Sequence, residues 1–291
     1  MLENKVILKD CIDGIKLIED NSIDVIIVDP PYNIGKDFGN DSDKQVMSEY
    51  YEWNKLWISE CYRVLKPNGS IFIYGFSEIL AQIFVNIEHK TKRWLVWHYT
   101  NKTTPSLKDW QRSHESIIHL WKGKDKIFNT DDVREKYTKS FLKNAAGKKR
   151  KATKGRFSDG ETETTYKAHD NGALPRDVFK ISALAGGAGA KERWFYCVDC
   201  DSAFHPTEKG KHVDHNTFNH PTQKPYELTK KLIQSSIPKD NKPQILIPFA
   251  GSGSELVVAR DLNCDFVGFE INPMFVKLGN TWLEKTKKNN E

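Results

Sequence analysis

The sequence predicts an α/β fold built on one large, mostly parallel sheet, and three observations carry that prediction. Apart from Asp24, residues 23–28 (IDVIIV) are apolar and largely β-branched, as a strand buried on both faces must be. Further short apolar runs at 70–75, 244–248 and 265–270 alternate with helix-length amphipathic stretches. Two of these strands end abruptly, one in Asp29-Pro30-Pro31 and the other in Ala250-Gly251-Ser252-Gly253, so the chain turns sharply at their carboxyl ends.

The elements follow in order. A short strand at 5–9 runs into Asp10, and a helix over 12–20 carries Ile12, Ile15, Leu17 and Ile18 on its apolar side. After the 23–28 strand, a helix over 48–66 is stopped by Pro67-Asn68-Gly69. A strand at 70–75, a helix near 77–89 and strands near 93–98 and 116–121 come next. The alternation stops near 125. Residues 143–170 are polar and begin with a basic run over 143–156, and 183–190 (ALAGGAGA) are small. Regular patterning resumes with a helix over 225–236, a strand at 244–248, a helix over 254–262, a strand at 265–270 and a helix over 273–287. The reading is one α/β domain from 1–125 and 220–291, interrupted by a less regular region at 126–219, with no internal repeat.

Composition bounds the alternatives. The 291 residues are 38% hydrophobic and 29% charged, enough for one sizeable core and a smaller appended region. No apolar run approaches the roughly 20 residues of a membrane span, and the N-terminus has no signal-peptide pattern. Five cysteines, with Cys11, Cys61 and Cys264 isolated, argue against a disulfide framework and for a cytoplasmic protein. A net charge of +5 permits nucleic-acid binding without requiring it.

The two strand ends carry the chemistry. The prolines after Asp29 lack N–H donors and fix the backbone, so the Pro30 carbonyl points in a set direction. A carboxylate and a free carbonyl can together accept both hydrogens of one NH₂ group, and Tyr32 can stack on a planar base. Asp29 also sits at the carboxyl edge of a strand, where open α/β sheets bind ligands. In Pro248-Phe249-Ala250-Gly251-Ser252-Gly253 the small residues let a ligand approach the backbone. Leu256 stands where a dinucleotide fingerprint needs its third glycine, which disfavours pyrophosphate and a nicotinamide oxidoreductase. Glu270 ends the next strand and suits a grip on ribose hydroxyls. A nucleoside without phosphates, such as S-adenosylmethionine, fits such a turn.

Taken in order, DPPYNIG (29–35), HPTQKPYEL (220–228), PFAGSGS (248–254) and FEINP (269–273) resemble the beta class of amino-methyltransferases acting on DNA. The resemblance covers about 1–122 and 220–291. It implies a Rossmann-like, S-adenosylmethionine-dependent methyltransferase fold with a mostly parallel seven-stranded sheet, a circularly permuted motif order and an inserted target-recognition region. It implies site-specific methylation of double-stranded DNA by base flipping. The catalytic residues would be Asp29, Pro30, Pro31 and Tyr32, with Asp29 and the Pro30 carbonyl holding the amine and Tyr32 stacking on the base. The cofactor would be bound by Asp10, Asp29, Lys224, Phe249, Gly251, Ser252, Gly253 and Glu270, with Asp10 at its adenine edge. Asp at the first position of the tetrapeptide favours adenine N6 over cytosine N4. The class is bacterial or phage-encoded, often dimeric, and often accompanied by a restriction endonuclease.

One departure is Ile247, where the family usually has an acid that holds the cofactor's charged end. It is the one hint of a catalytically silent DNA-binding protein, or it leaves that duty to Asp29. RNA is a weaker substrate alternative. The basic run at 148–156 reads equally as a solvated loop or as a DNA clamp. Trp110, Arg112, His114 and Glu115 either face the base or DNA or pack at a strand end, and His220 reads as structural. Cys197-x-x-Cys200, followed by His205, His212 and His215, invites a zinc reading. It has no second cysteine pair and no standard histidine spacing, so free thiols in a loop are favoured and no metal is expected.

Overall fold

The computed structural model describes residues 2–36, 38, 43–89, 91–101, 107–156 and 158–287. Residues 1, 37, 39–42, 90, 102–106, 157 and 288–291 of the expected domain spans lie outside the described residues. The chain divides into two compact units, one formed by 1–128 and 177–291 and the other by 129–176.

In the larger unit β1 (Lys5–Leu8) is followed by α1 (Cys11–Ile15), β2 (Ile23–Val28), α2 (Met47–Val64), β3 (Leu65–Gly75), α3 (Ser77–Asn86), β4 (Lys92–His98) and β5 (His114–Trp121). The smaller unit contains α4 (Lys139–Asn144) and a hairpin of β6 (Lys149–Lys151) with β7 (Glu163–Thr165). The chain then returns to the larger unit through β8 (Val178–Lys180), α5 (Gly189–Glu192), β9 (Phe195–Cys197), β10 (Ser202–Phe204) and β11 (Thr217–Phe218). It finishes with α6 (Tyr226–Ser236), β12 (Gln244–Ile247), α7 (Ser254–Asp261), β13 (Asp265–Glu270) and α8 (Pro273–Lys287).

The main sheet runs β1-β13-β12-β2-β3-β5-β4-β8. It is parallel throughout except at the β3–β5 and β4–β5 pairs. The expected seven strands become eight because Val178–Lys180, from within the 126–219 region, joins the edge beside β4. The separate unit is correspondingly shorter than that region: residues 177–219 belong to the sheet-bearing unit. The first helix ends at Ile15 rather than near 20, with Asp10 capping its start.

Strand β2 is buried at all six positions. Its one charge, Asp24, is tolerated because Lys66 Nζ lies 2.8 and 2.9 Å from its oxygens and the Gln244 N–H donates to it at 2.8 Å. Register then brings distant segments together. Ile245 pairs with Val25 and Leu246 with Ile26, so the turn after β12 lies beside the tetrapeptide after β2. Leu8 pairs with Glu270, which sets Asp10 beside the end of β13. From β12 the chain moves outward to β13, and from β2 it moves the other way to β3. This reversal opens a crevice at the carboxyl ends of the strands.

In the smaller unit the basic run is partly a strand pair. Lys149 lies opposite Thr165 and makes an ion pair with Glu163, and Lys151 lies 3.2 Å from Glu161, with all six hairpin positions exposed. Arg134 donates to the Gly172 carbonyl at 2.9 Å, and Arg176 lies 2.6 Å from Glu135, closing the unit's two ends.

Candidate active site

The crevice holds a cleft of about 970 Å³, a figure that includes the solvent space at its open mouth. Asp29, Pro30, Pro31 and Tyr32 line it on one side, and Phe249, Gly251 and Ser252 on another; Asp10 and Glu270 also line it. Of the expected site residues only Lys224 and Gly253 are not among its lining.

The tetrapeptide is held from both ends. The Tyr50 hydroxyl donates to the Pro31 carbonyl at 2.8 Å. Downstream, the Asp43 carboxylate accepts the N–H groups of Ile34 and Lys36 at 3.2 and 2.7 Å, besides that of Asn33. Asp43 had no signal in the sequence, because its role depends on a loop folding back onto it.

Asp29 is the centre of a buried charge cluster. Lys224 Nζ donates to both of its oxygens at 2.7 Å and lies 3.7 Å from Glu115. The Tyr32 hydroxyl lies 2.9 Å from Asp29 Oδ1 and 3.2 Å from Glu115 Oε2. Burial raises the Asp29 carboxyl, against the pull of the Lys224 ammonium. Burial alone would discharge Lys224, but Asp29 and Glu115 outweigh it and hold the ammonium above its ordinary range. Burial beside the same two carboxylates keeps the Tyr32 phenol protonated.

The geometry places three of the residues singled out in the sequence. Lys224, named among the cofactor-binding candidates, gives its ammonium to Asp29. Tyr32 points its hydroxyl into the cluster and sets its ring edge-on to Phe76, at 5.1 Å and 66°. Glu115, left open between strand-end packing and the site, belongs to the cluster, whereas Trp110 is fully exposed, Arg112 pairs with Glu78 at 2.9 Å and His114 bonds Ser77 at 2.9 Å.

The glycine turn divides its duties. Gly251 has φ +50°, and a Cβ there would come within 2.9 Å of the His220 ring. Gly253 has φ +81°, and a Cβ there would meet Gly279 Cα at 2.8 Å, so its smallness serves helix packing. Phe249 is wedged edge-on between Trp53 and Trp57 at 5.6 and 5.7 Å. His220 packs against Phe38 and Phe275, and burial lowers it to about 3, so its ring is neutral.

Three carboxylates line the remaining cleft. Glu270 accepts the Gly251 N–H at 2.9 Å and the Asn272 N–H at 2.8 Å, and burial raises its carboxyl. Asp10 Oδ1 accepts the Ile12 N–H at 2.9 Å as the cap of α1. Ile247 lies in the core of β12. Glu255, which sequence reading missed, lines the cleft from the first turn of α7. It accepts from Ser254 at 2.7 Å, and burial followed by the nearby Asp29 charge pushes it up to about 7. A buried acid one turn into a helix resembles an ordinary N-terminal helix acid in sequence, which is why it gave no signal.

A family model described as DNA methylase, for N6 and N4 enzymes, matches residues 23–281. The chain belongs to this N6/N4 DNA methylase family. Its relatives include the type II methyltransferase M.HpaI of Haemophilus parainfluenzae, 28% identical over 97% of this chain and 75% of that one. The DNA adenine methyltransferase YhdJ of Escherichia coli K12 is 28% identical over 94% of this chain and 80% of its own. Among solved structures, the cytosine-N4-specific PvuII DNA methyltransferase superposes with TM-score 0.62 at 13% identity, covering 97% of this chain and 89% of that one. The M1.HpyAVI–SAM complex superposes with TM-score 0.53 at 19% identity over 94% and 97%. These likenesses establish the Rossmann-like methyltransferase fold. The chain is therefore a DNA methyltransferase, and the named relatives and neighbours include both adenine and cytosine-N4 enzymes. Among the described residues no helix is long and apolar enough to cross a membrane.

Proposed function

We propose that the protein transfers a methyl group from S-adenosylmethionine to N6 of adenine in double-stranded DNA. The observation that carries this reading is the Asp29 carboxylate at the cleft, held by Lys224 beside the proline carbonyls. An ionised carboxylate has about four acceptor positions. Lys224 takes two and Tyr32 a third. One remains for an incoming amine hydrogen, and the Pro30 carbonyl would take the other.

The target base must leave the duplex, at a cost of a few kcal/mol of unstacking. Its amine lone pair is delocalised into the ring and is a poor nucleophile. Two acceptors fixed by Asp29 and Pro30 favour a tetrahedral nitrogen and localise that pair. S-adenosylmethionine supplies the electrophilic methyl group. Positive charge then develops on the amine nitrogen, beside Asp29 and Glu115 with only one ammonium between them. Such preorganised charge is stabilising without reorganisation at the moment of reaction. Glu270 would grip the ribose, Asp10 the adenine edge, and Phe249, Gly251 and Ser252 would form the wall of the cofactor. Glu255 would take the duty of the acid missing at 247, facing the cofactor's cationic end.

Adenine rather than cytosine N4 is favoured by Asp at the head of the tetrapeptide. The region over 126–219 would read the target sequence, and a partner endonuclease fits the type II relatives. Transfer of labelled methyl to unmethylated genomic DNA, with identification of the product nucleoside, tests the reading. N6-methyladenine is expected; N4-methylcytosine would move the assignment to the second base, and no labelled DNA would leave a silent binding protein.

A further inference from the structure

Residues 195–218 form a three-stranded antiparallel sheet in the order β10-β9-β11, with strands of three, three and two residues. Tyr196, Cys197, Ala203 and Phe204 are its buried residues. That is little apolar surface, and small modules of this kind generally need a staple. Part of the support comes from α8: the Ala203 N–H donates to Thr281 at 3.1 Å, and Trp194 stacks on Trp282 at 5.1 Å.

The other support sits at the far end. Cys197 closes β9, Cys200 lies in the β9–β10 turn, His212 ends a short 3-10 helix, and His215 precedes β11. One ligand atom from each of the four lies within 4.8 Å of every other. Cys197 Sγ and Cys200 Sγ each lie 3.3 Å from His215 Nδ1, and Cys200 Sγ lies 3.7 Å from His212 Nδ1. Tetrahedral zinc, with Zn–S about 2.3 Å and Zn–N about 2.0–2.1 Å, sets its ligand atoms about 3.3–3.8 Å apart. Three of the six separations fall in that range, and the other three are no longer than 4.8 Å, so a small adjustment of side chains would close one coordination tetrahedron. The two sulfurs are not joined to each other.

We infer that Cys197, Cys200, His212 and His215 form a structural zinc site. Two thiolates and two imidazoles make a closed set of soft and borderline donors, which selects zinc over oxygen-seeking cations and leaves no position for a substrate. The ring of His212 is held by stacking on Phe204 at 4.1 Å and 20°. His205 is excluded: its Nδ1 faces Thr207 and its Nε2 the Lys191 carbonyl at 3.0 Å. In the sequence the set has no standard spacing, since eleven residues separate Cys200 from His212 and two separate the histidines. The antiparallel pairing of β9 with both neighbours is what brings the four together. The ion would also fix the base of the strand that leads, through Asn219, to His220 at the cleft and on to Lys224 beside Asp29.

The test is metal analysis of the full-length protein purified under reducing conditions with zinc supplied. One zinc per chain is expected, and cobalt exchanged into the site should give the absorption of a tetrahedral thiolate complex. C200S and H215A should each lose the zinc and lower the melting temperature, and a chelator should reproduce that shift in the wild type. Because the variants are expected to fold poorly, the wild-type cobalt spectrum decides independently. Wild type that takes up neither metal, that carries a Cys197–Cys200 disulfide instead, or whose zinc persists in both variants would overturn the assignment.

Discussion

Lys224 Nζ lies 2.7 Å from both carboxylate oxygens of Asp29, although the two residues stand 195 positions apart in the chain. The pair links the tetrapeptide after β2 to the segment before α6. It means that Asp29 is a held acceptor, and that substitutions at either residue change charge balance as well as chemistry.

Asp29→Asn keeps the side chain's shape and removes its charge. Methyl transfer should fall by ~100-fold or more, the usual cost of one preorganised electrostatic contact. Cofactor and DNA affinity should change only a few-fold. Asp29→Ala should also destabilise the fold, by up to about 3–5 kcal/mol, because the buried ammonium loses its main partner. Single-turnover transfer and denaturant unfolding separate the two effects. Near-wild-type transfer by the Asn variant would remove Asp29 from the chemistry.

Lys224→Met should move the acidic limb of the pH–rate profile to higher pH. Burial already raises the Asp29 carboxyl and the ammonium opposes that rise. Without it the acid titrates later, so the ionised acceptor appears only at higher pH. A uniformly lowered profile with an unmoved limb would assign Lys224 a packing role alone.

Glu255, raised to about 7, should make stability fall as pH rises from about 4.5 towards about 7. The sign follows because the folded chain holds this proton when the unfolded chain has released it. Glu255→Gln should flatten that part of the curve. If Glu255 faces the cofactor's cationic end, cofactor affinity in the wild type should increase as pH rises through about 7, with proton release on binding. Calorimetry in buffers of different ionisation enthalpy measures that release, and its absence would detach Glu255 from the cofactor.

The two glycines should separate. Gly251→Ala crowds the His220 ring at the cleft wall and should weaken cofactor binding at least tenfold. Gly253→Ala pushes against the α8 backbone and should lower the melting temperature with little change in cofactor affinity in the protein that remains folded. Equal effects of both on affinity would contradict the division.

Strands 23–28, 244–248 and 265–270 were legible because a strand buried on both faces must be apolar throughout, which is a local property. The tetrapeptide and the glycine turn were legible for the same reason: a missing N–H or a missing Cβ acts where it stands. The edge strand at Val178–Lys180 was not, since three residues carry too short a pattern and gain strand structure only by pairing with β4.

The sequence by itself determined the sheet's buried strands, the sharp ends of β2 and β12, and the presence of an acid and a glycine turn there. Tertiary structure decided which charges meet: Lys224 on Asp29, Tyr32 and Glu115 in the same cluster, and Glu255 in the cleft where Ile247 offers no acid. It also gathered Cys197, Cys200, His212 and His215. The physical reason is that burial of a charge and convergence of ligands depend on strand order and register, which join residues far apart in the chain, while composition and periodicity report only on a residue's immediate neighbours.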